Sequence, residues 1–397
     1  MFSLRPTAVL VGAVAVSLTA CASPVPSTPP LTSPPAVTAT PRDTVGNEVT
    51  NSAGGTETST PPATAGTPTQ APTAVNSSPP RDVASDLNAP WSVVFRDGVP
   101  LVSERDTGRI LELAEDGGAR QVAVIEGVPD VGEGGLLGLA VDDRGRLYAY
   151  YTIGEVNRIV RFDVSGAAGS LALGEPVVIL DGINESTTHN GGRIAFGPDG
   201  MLYASTGDAG VPARAQDPAS LSGKILRMTQ DGDVPSDNPF DGSLVWTSGH
   251  RNVQGMAWAQ DGTMFATEFG QDTWDELNII EPGSNYGWPV VEGIANTDDY
   301  VNPVQQWSPR DASPSGMAHL NGRLYIANLR GQRLRSVEVS DPSTSTEFFV
   351  GELGRLRDVA AAPDGALWVL TNNTDGRGDP REGDDRIVAV GPGALAD

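Results

Sequence analysis

A strand–turn–strand unit recurs six times in this chain of 397 residues. The copies read WSVVF-RDG-VPLVS from Trp91, LGLAV-DDRG-RLYAY from Leu137, RIAF-GPDG-MLYAS from Arg193, GMAW-AQDG-TMFAT from Gly255, GMAH-LNG-RLYIA from Gly316 and DVAA-APDG-ALWVL from Asp358. Their turn glycines are Gly98, Gly145, Gly200, Gly262, Gly322 and Gly365, a period of roughly 40–60 residues that signals repeat architecture. Short alternating strands with frequent turns predict an all-β domain, and six copies at this spacing predict a six-bladed β-propeller with about four strands per blade. A β-sandwich or several small barrels is the alternative, but neither keeps polar residues in phase with a repeat. The N-terminal edge is expected to pair into the last blade near DDRIVAV, which removes a free edge.

The repeat also phases the reactive side chains. Glu133, His189, Arg251 and Arg355 sit 10–12 residues before their turn glycines, while Asp208, Gly270 and Arg330 sit 8 residues after theirs. In an antiparallel hairpin the start of the first strand and the end of the second share one edge. One imidazole, several guanidinium groups and several carboxylates are therefore expected at one mouth of the ring.

Outside the repeats the chain changes character. Residues 1–20 carry Arg5 and the apolar run TAVLVGAVAVSLTA, too short for a permanent span and suited to a secretory signal. Leu18-Thr19-Ala20-Cys21 resembles a bacterial lipobox, and Cys21 is the only cysteine. This predicts an exported protein, lipid-anchored at Cys21 and facing the periplasm or the extracellular side, with no intramolecular disulfide. Residues 21–84, rich in Pro, Ser and Thr, lack large apolar groups and read as a disordered tether. Residues 85–397 are long enough for one domain with a sizeable core. The net charge of −24 argues against nucleic acid, whose phosphates need basic groups.

His189, in THNGGRIAFGPDG, is a natural general base near neutral pH, although a histidine there also serves as a structural hydrogen-bonder. Asp208, in YASTGDAG, could hold its tautomer, or could close an Asx turn. Arg251 and Asn252 offer donors for a carbonyl or carboxylate oxygen. Arg355 and Arg357 alternate on a strand and point the same way, which is unfavourable without an anion between them; Arg330 would add a further cation. The segment Thr267–Pro289 is dense in oxygen ligands: Glu276, Asp272, Asp275 and loop carbonyls around Gly270, Gln271 and Tyr286 suit calcium, without EF-hand spacing.

Together the pieces LNAPWSVVF, EGGLLGLAV, HNGGRIAFGPDGMLYASTGDAG, LSGKILRM, GHRNVQGMAW, DELNIIEPGSNYGWP, SPSGMAHL and GRLRDV resemble the soluble quinoprotein glucose/sorbosone (aldose sugar) dehydrogenase family. The resemblance covers residues 86–390 and implies a six-bladed propeller binding pyrroloquinoline quinone (PQQ) and calcium. It makes His189 the proton acceptor, Asp208 its support, Arg251 and Asn252 contacts at the quinone carbonyls, and Arg330, Arg355 and Arg357 the cations around the cofactor carboxylates. Glu276 and Tyr286 match calcium ligands, and Gly270 and Gln271 lie where backbone carbonyls hold the cofactor's calcium. Glu133 stands where many members have Gln and brings a negative charge that needs protonation or calcium. Arg330 replaces a common Lys, keeping charge but changing geometry.

The activity so implied is oxidation of the anomeric hydroxyl of an aldose to a lactone, with hydride to the quinone, a proton to His189 and electrons passed on to a further acceptor. The rival reading is a catalytically inactive propeller serving as a cell-surface sugar-binding or protein-interaction module.

Overall fold

Each of the six repeats opens a four-stranded antiparallel sheet. The protein is described here by a computed structural model covering residues 79–129 and 132–395. Cys21, the signal segment and the tether up to residue 78 lie outside the described residues.

The first blade runs Pro90–Arg96, Val99–Glu104, Arg109–Leu113 and Ala119–Val124; the second Leu136–Val141, Leu147–Ile153, Val156–Phe162 and Val177–Asn184. The third runs Ile194–Phe196, Leu202–Thr206, Lys224–Met228 and Val245–Ser248, and the fourth Val253–Trp258, Met264–Glu268, Asp275–Ile280 and Gln305–Trp307. The fifth is Pro314–Leu320, Arg323–Asn328, Arg333–Glu338 and Asp341–Phe348. The sixth takes Leu356–Ala361, Leu367–Thr371 and Ile387–Val390 from the C-terminal end and Arg81–Ala84 from the N-terminal end. Arg81 pairs with Ala389 and Asp82 with Val388, so the ring closes as expected. The domain's first strand begins at Arg81, ahead of the expected boundary at 85, because the closing strand needs residues that composition alone assigned to the tether.

Leading strands of neighbouring blades pack around the axis, and Pro90–Arg96 meets both Leu136–Val141 and Leu356–Ala361. Between blades the alternating apolar residues interlock: Tyr148, Tyr150, Leu202 and Leu226 fill the wedge between blades two and three, and Phe265, Leu277, Leu324 and Ile326 that between four and five. Each such side chain contributes about 1.5–3 kcal/mol on burial. Among the described residues the only helices are short 3-10 turns, Pro212–Gln216 and Pro392–Leu395, and none is long and apolar enough to cross a membrane.

Candidate active site

His189 ends the loop entering blade three, with a positive φ of 59° that a non-glycine residue adopts only under constraint. The constraint is visible. A Cβ at Gly207 would strike the His189 carbonyl, so the backbone of the neighbouring strand end can approach only without a side chain. From the other side the His189 N–H donates to Glu133 Oε2 at 2.9 Å.

The imidazole Nδ1 lies 2.7 Å from Asp208 Oδ1. Asp208 is fully buried; its Oδ1 also accepts the Gly210 N–H at 2.8 Å and its Oδ2 the Trp288 indole N–H at 2.8 Å. Burial opposes the charge, but the His189, Trp288 and Gly210 bonds outweigh it and hold the carboxyl below its ordinary value. An ionised carboxylate only accepts, so the proton of neutral His189 resides on Nδ1 and Nε2 is left with a free lone pair.

Arg251 and Asn252 lead into blade four. Their backbone N–H groups donate to Glu268 Oε1, whose other oxygen is 2.8 Å from His250 Nδ1. The Arg251 Nη1 reaches the Phe269 carbonyl at 3.2 Å, and its guanidinium lies over the Trp288 ring at 5.4 Å. Asn252 does not present its oxygen to a ligand: Oδ1 accepts the Gly191 N–H at 3.0 Å and Gln254 Nε2 at 3.2 Å. It ties blade four to the His189 loop.

A cavity of about 200 Å³ opens at this mouth, lined by Glu133, His189, Arg251, Asn252, Gly270, Gln271, Arg330 and Arg355. The repeat phase thus gathered what it was expected to gather. Arg357 is the exception. It lines an adjoining small inner chamber of about 20 Å³ with Trp91, Arg105 and Gln254, and it bonds Gln254 Oε1 at 3.1 Å and Ser315 Oγ at 3.3 Å, both neutral. Burial, reinforced by Arg105, pushes its pKa down to about 9. Arg355 instead pairs with Asp375 at 3.0 Å. The Nε atoms of Arg251, Arg355 and Arg357 are buried and have no hydrogen-bond partner among the described residues.

Glu133 has a counter-charge within the chain. Arg377 lies 3.1 Å from its Oε1, and this cation with the His189 N–H outweighs burial, holding the carboxyl below its ordinary value. Arg377, Asp375 and Trp288 escaped the sequence reading. The first two lie in the segment between the second and third strands of blade six, which has no counterpart in the repeat; only their charge marked them.

The expected metal ligands line two cavities that share Gly270. Gly270 and Gln271 border the open one, and Gly270, Glu276 and Tyr286 border a smaller one with Glu268 and Glu292. The Tyr286 hydroxyl is committed to the backbone, donating to the Ile279 carbonyl at 2.6 Å and accepting the Glu281 N–H at 2.9 Å. Asp275 anchors the loop through the Gly270 and Ser313 N–H groups. Burial and the nearby Glu268 charge push the Glu276 carboxyl up to about 8. Among the described residues no three His, Cys, Asp or Glu side chains are grouped to hold a metal ion.

The model of the Glucose / Sorbosone dehydrogenase family matches residues 87–378. The chain belongs to this family. It is 30% identical over 342 residues to the aldose sugar dehydrogenase YliI of Escherichia coli, covering 73% of this chain and 89% of that protein. It is 32% identical over 261 residues to quinoprotein glucose dehydrogenase B of Acinetobacter calcoaceticus, covering 55% and 54%. Among solved structures, the PQQ-bound form of an aldose sugar dehydrogenase from Streptomyces coelicolor superposes with a TM-score of 0.75 at 46% identity, over 80% of this chain and 99% of that one. Family membership and the all-β six-bladed propeller therefore agree with the sequence reading.

Proposed function

We propose that this family member is a PQQ-dependent sugar dehydrogenase that oxidises the anomeric hydroxyl of an aldose to the lactone. The observation that carries the reading is the His189–Asp208 pair opening into a cavity walled by Arg251, Arg330 and Arg355. The orphaned buried Nε atoms of Arg251 and Arg355 suit a polyanionic, planar ligand.

Bound PQQ would supply the acceptor for the two electrons and the C1 hydrogen. His189 Nε2 takes the hydroxyl proton, and Asp208 stabilises the imidazolium that forms. Arg251, held from both sides by Phe269 and Trp288, presents fixed positive charge where negative charge develops. Arg330 and Arg355 orient the cofactor carboxylates, with Arg357 acting from the inner chamber. Calcium belongs to the same proposal: the Gly270 and Gln271 carbonyls border the cavity, and the acidic pair Glu268 and Glu276 beside them would gain from a nearby cation. We further read the chain as exported and lipid-anchored through Cys21, passing electrons to an acceptor outside the membrane.

Purified protein is titrated with PQQ and calcium, and dye reduction by aldoses is followed. Reduction that His189→Ala abolishes while PQQ still binds supports the proposal; an active His189→Ala refutes the assigned base. Cys21→Ser should release the protein from the membrane fraction. One observation favours the inactive-propeller reading: Asp375 and Arg377 already neutralise Arg355 and Glu133. Calorimetry showing no PQQ uptake with calcium present would decide for it.

A further inference from the structure

We infer that Trp288 is a positioning residue that fixes both the proton acceptor and Arg251, and that its indole N–H acts through Asp208. The inference rests on the assignment of His189 as base. Trp288 sits in the loop after the third strand of blade four, whereas Asp208 belongs to blade three. Its ring joins the two: Nε1–H donates to Asp208 Oδ2 at 2.8 Å, while one face carries the Arg251 guanidinium at 5.4 Å. An indole N–H can only donate, so the bond has one polarity and favours the ionised carboxylate.

The tryptophan is itself held. Its backbone N–H donates to the Gly249 carbonyl at 2.9 Å and its backbone carbonyl accepts Gln216 Nε2 at 2.7 Å, and the side chain is buried. Asp208 Oδ1 is already used by His189 and Gly210. Without the indole, Oδ2 loses its only side-chain donor among those described, and the carboxylate plane is free to turn about its Cβ–Cγ bond. The imidazole then loses the fixed acceptor that keeps its proton on Nδ1. A bulky residue that merely filled space would leave this tautomer alone.

The test is nitrogen NMR of the His189 ring in the full chain without cofactor, with kinetics of the reconstituted enzyme as a second readout. Trp288→Phe keeps an aromatic face for Arg251 and removes the donor. We expect the neutral ring to shift from Nδ1–H toward Nε2–H, and kcat to fall about ten- to a hundredfold, the range of a lost hydrogen bond to a charged group, with KM changed less. Added to Asp208→Asn, Trp288→Phe should cause almost no further loss, because both act through one carboxylate. If Trp288→Phe does not fold, the parent protein still decides: the Trp288 indole proton should move upfield in Asp208→Asn. An unchanged His189 tautomer in Trp288→Phe, additive losses in the double variant, or an indole signal indifferent to Asp208→Asn would each overturn the inference. The tautomer readout needs no turnover, so it fails or holds separately from the proposed dehydrogenase activity.

Discussion

Arg355 Nη2 lies 3.0 Å from Asp375 Oδ2, and the aspartate is almost wholly buried. A guanidinium assigned to cofactor carboxylates is thus already answered by an acid of the same chain. Asp375 both orients Arg355 and competes with any anionic ligand for it. The competition should dominate, since an anion entering the cavity meets a fixed negative charge in low dielectric. Asp375→Asn is expected to tighten PQQ binding about tenfold, within the usual range for close charge pairs, measured by calorimetry with calcium present. Weaker binding would make Asp375 an orienting group instead.

Asp208→Asn should lower kcat by at least about tenfold, toward the ~10²-fold scale of general-base catalysis, with KM changed less than about threefold. An amide would present its N–H₂ to His189 Nδ1 and move the ring proton to Nε2, the nitrogen that must stay bare. Steady-state kinetics of the reconstituted enzyme check this. A variant as fast as the parent would show that the ring tautomer is not set by Asp208.

Much of this arrangement was legible because the repeat imposes a phase. The six copies are the leading two strands of the six blades, and His189, Arg251 and Arg355 share one mouth because the hairpin geometry puts them there. Depth was not legible. Alternation grouped Arg355 with Arg357, but Arg355 precedes the strand and the register shifts between Leu356 and Asp358, so Arg355 lines the open cavity and Arg357 the inner chamber. Partners from outside the repeat were also hidden: Arg377 reaches Glu133 from a segment with no periodic marker, so the extra charge of Glu133 looked uncompensated. Trp288 was visible inside a quoted motif, but nothing in the sequence says that its N–H meets an aspartate from another blade.

Glu133 should matter most in acid. Its carboxyl lies below the ordinary 4.5 in the folded protein, so as pH falls through that region the unfolded chain takes the proton first and stability drops. The stabilisation is present above about 4.5 and is lost as pH falls further. Glu133→Gln should flatten this part of the stability curve, and Arg377→Ala should move the acid loss to higher pH, because burial then acts unopposed by the guanidinium. Arg377 is half exposed, so its share should also shrink in salt. Urea unfolding between about pH 3 and 6 measures all three; parallel curves for parent and Glu133→Gln would rule the linkage out.

On the axis, Arg193 and Asp358 form an ion pair at 3.1 Å with both side chains nearly inaccessible. Asp358 Oδ2 also accepts the Val93 N–H at 3.2 Å, Arg193 Nε donates to the Gln254 carbonyl at 2.9 Å, and the guanidinium lies 4.2 Å over Trp91. Four blades therefore meet at one pair of charges. Burial drives the Asp358 carboxyl up and the Arg193 guanidinium down, and each partner opposes that shift in the other. Removing one partner strands the other charge. Asp358→Asn is expected to cost about 3–5 kcal/mol, read by urea unfolding, whereas Arg193→Met with Asp358→Asn should recover part of that loss because no uncompensated charge remains. A single variant costing under about 1 kcal/mol would mean that water reaches the pair and that ring closure does not depend on it.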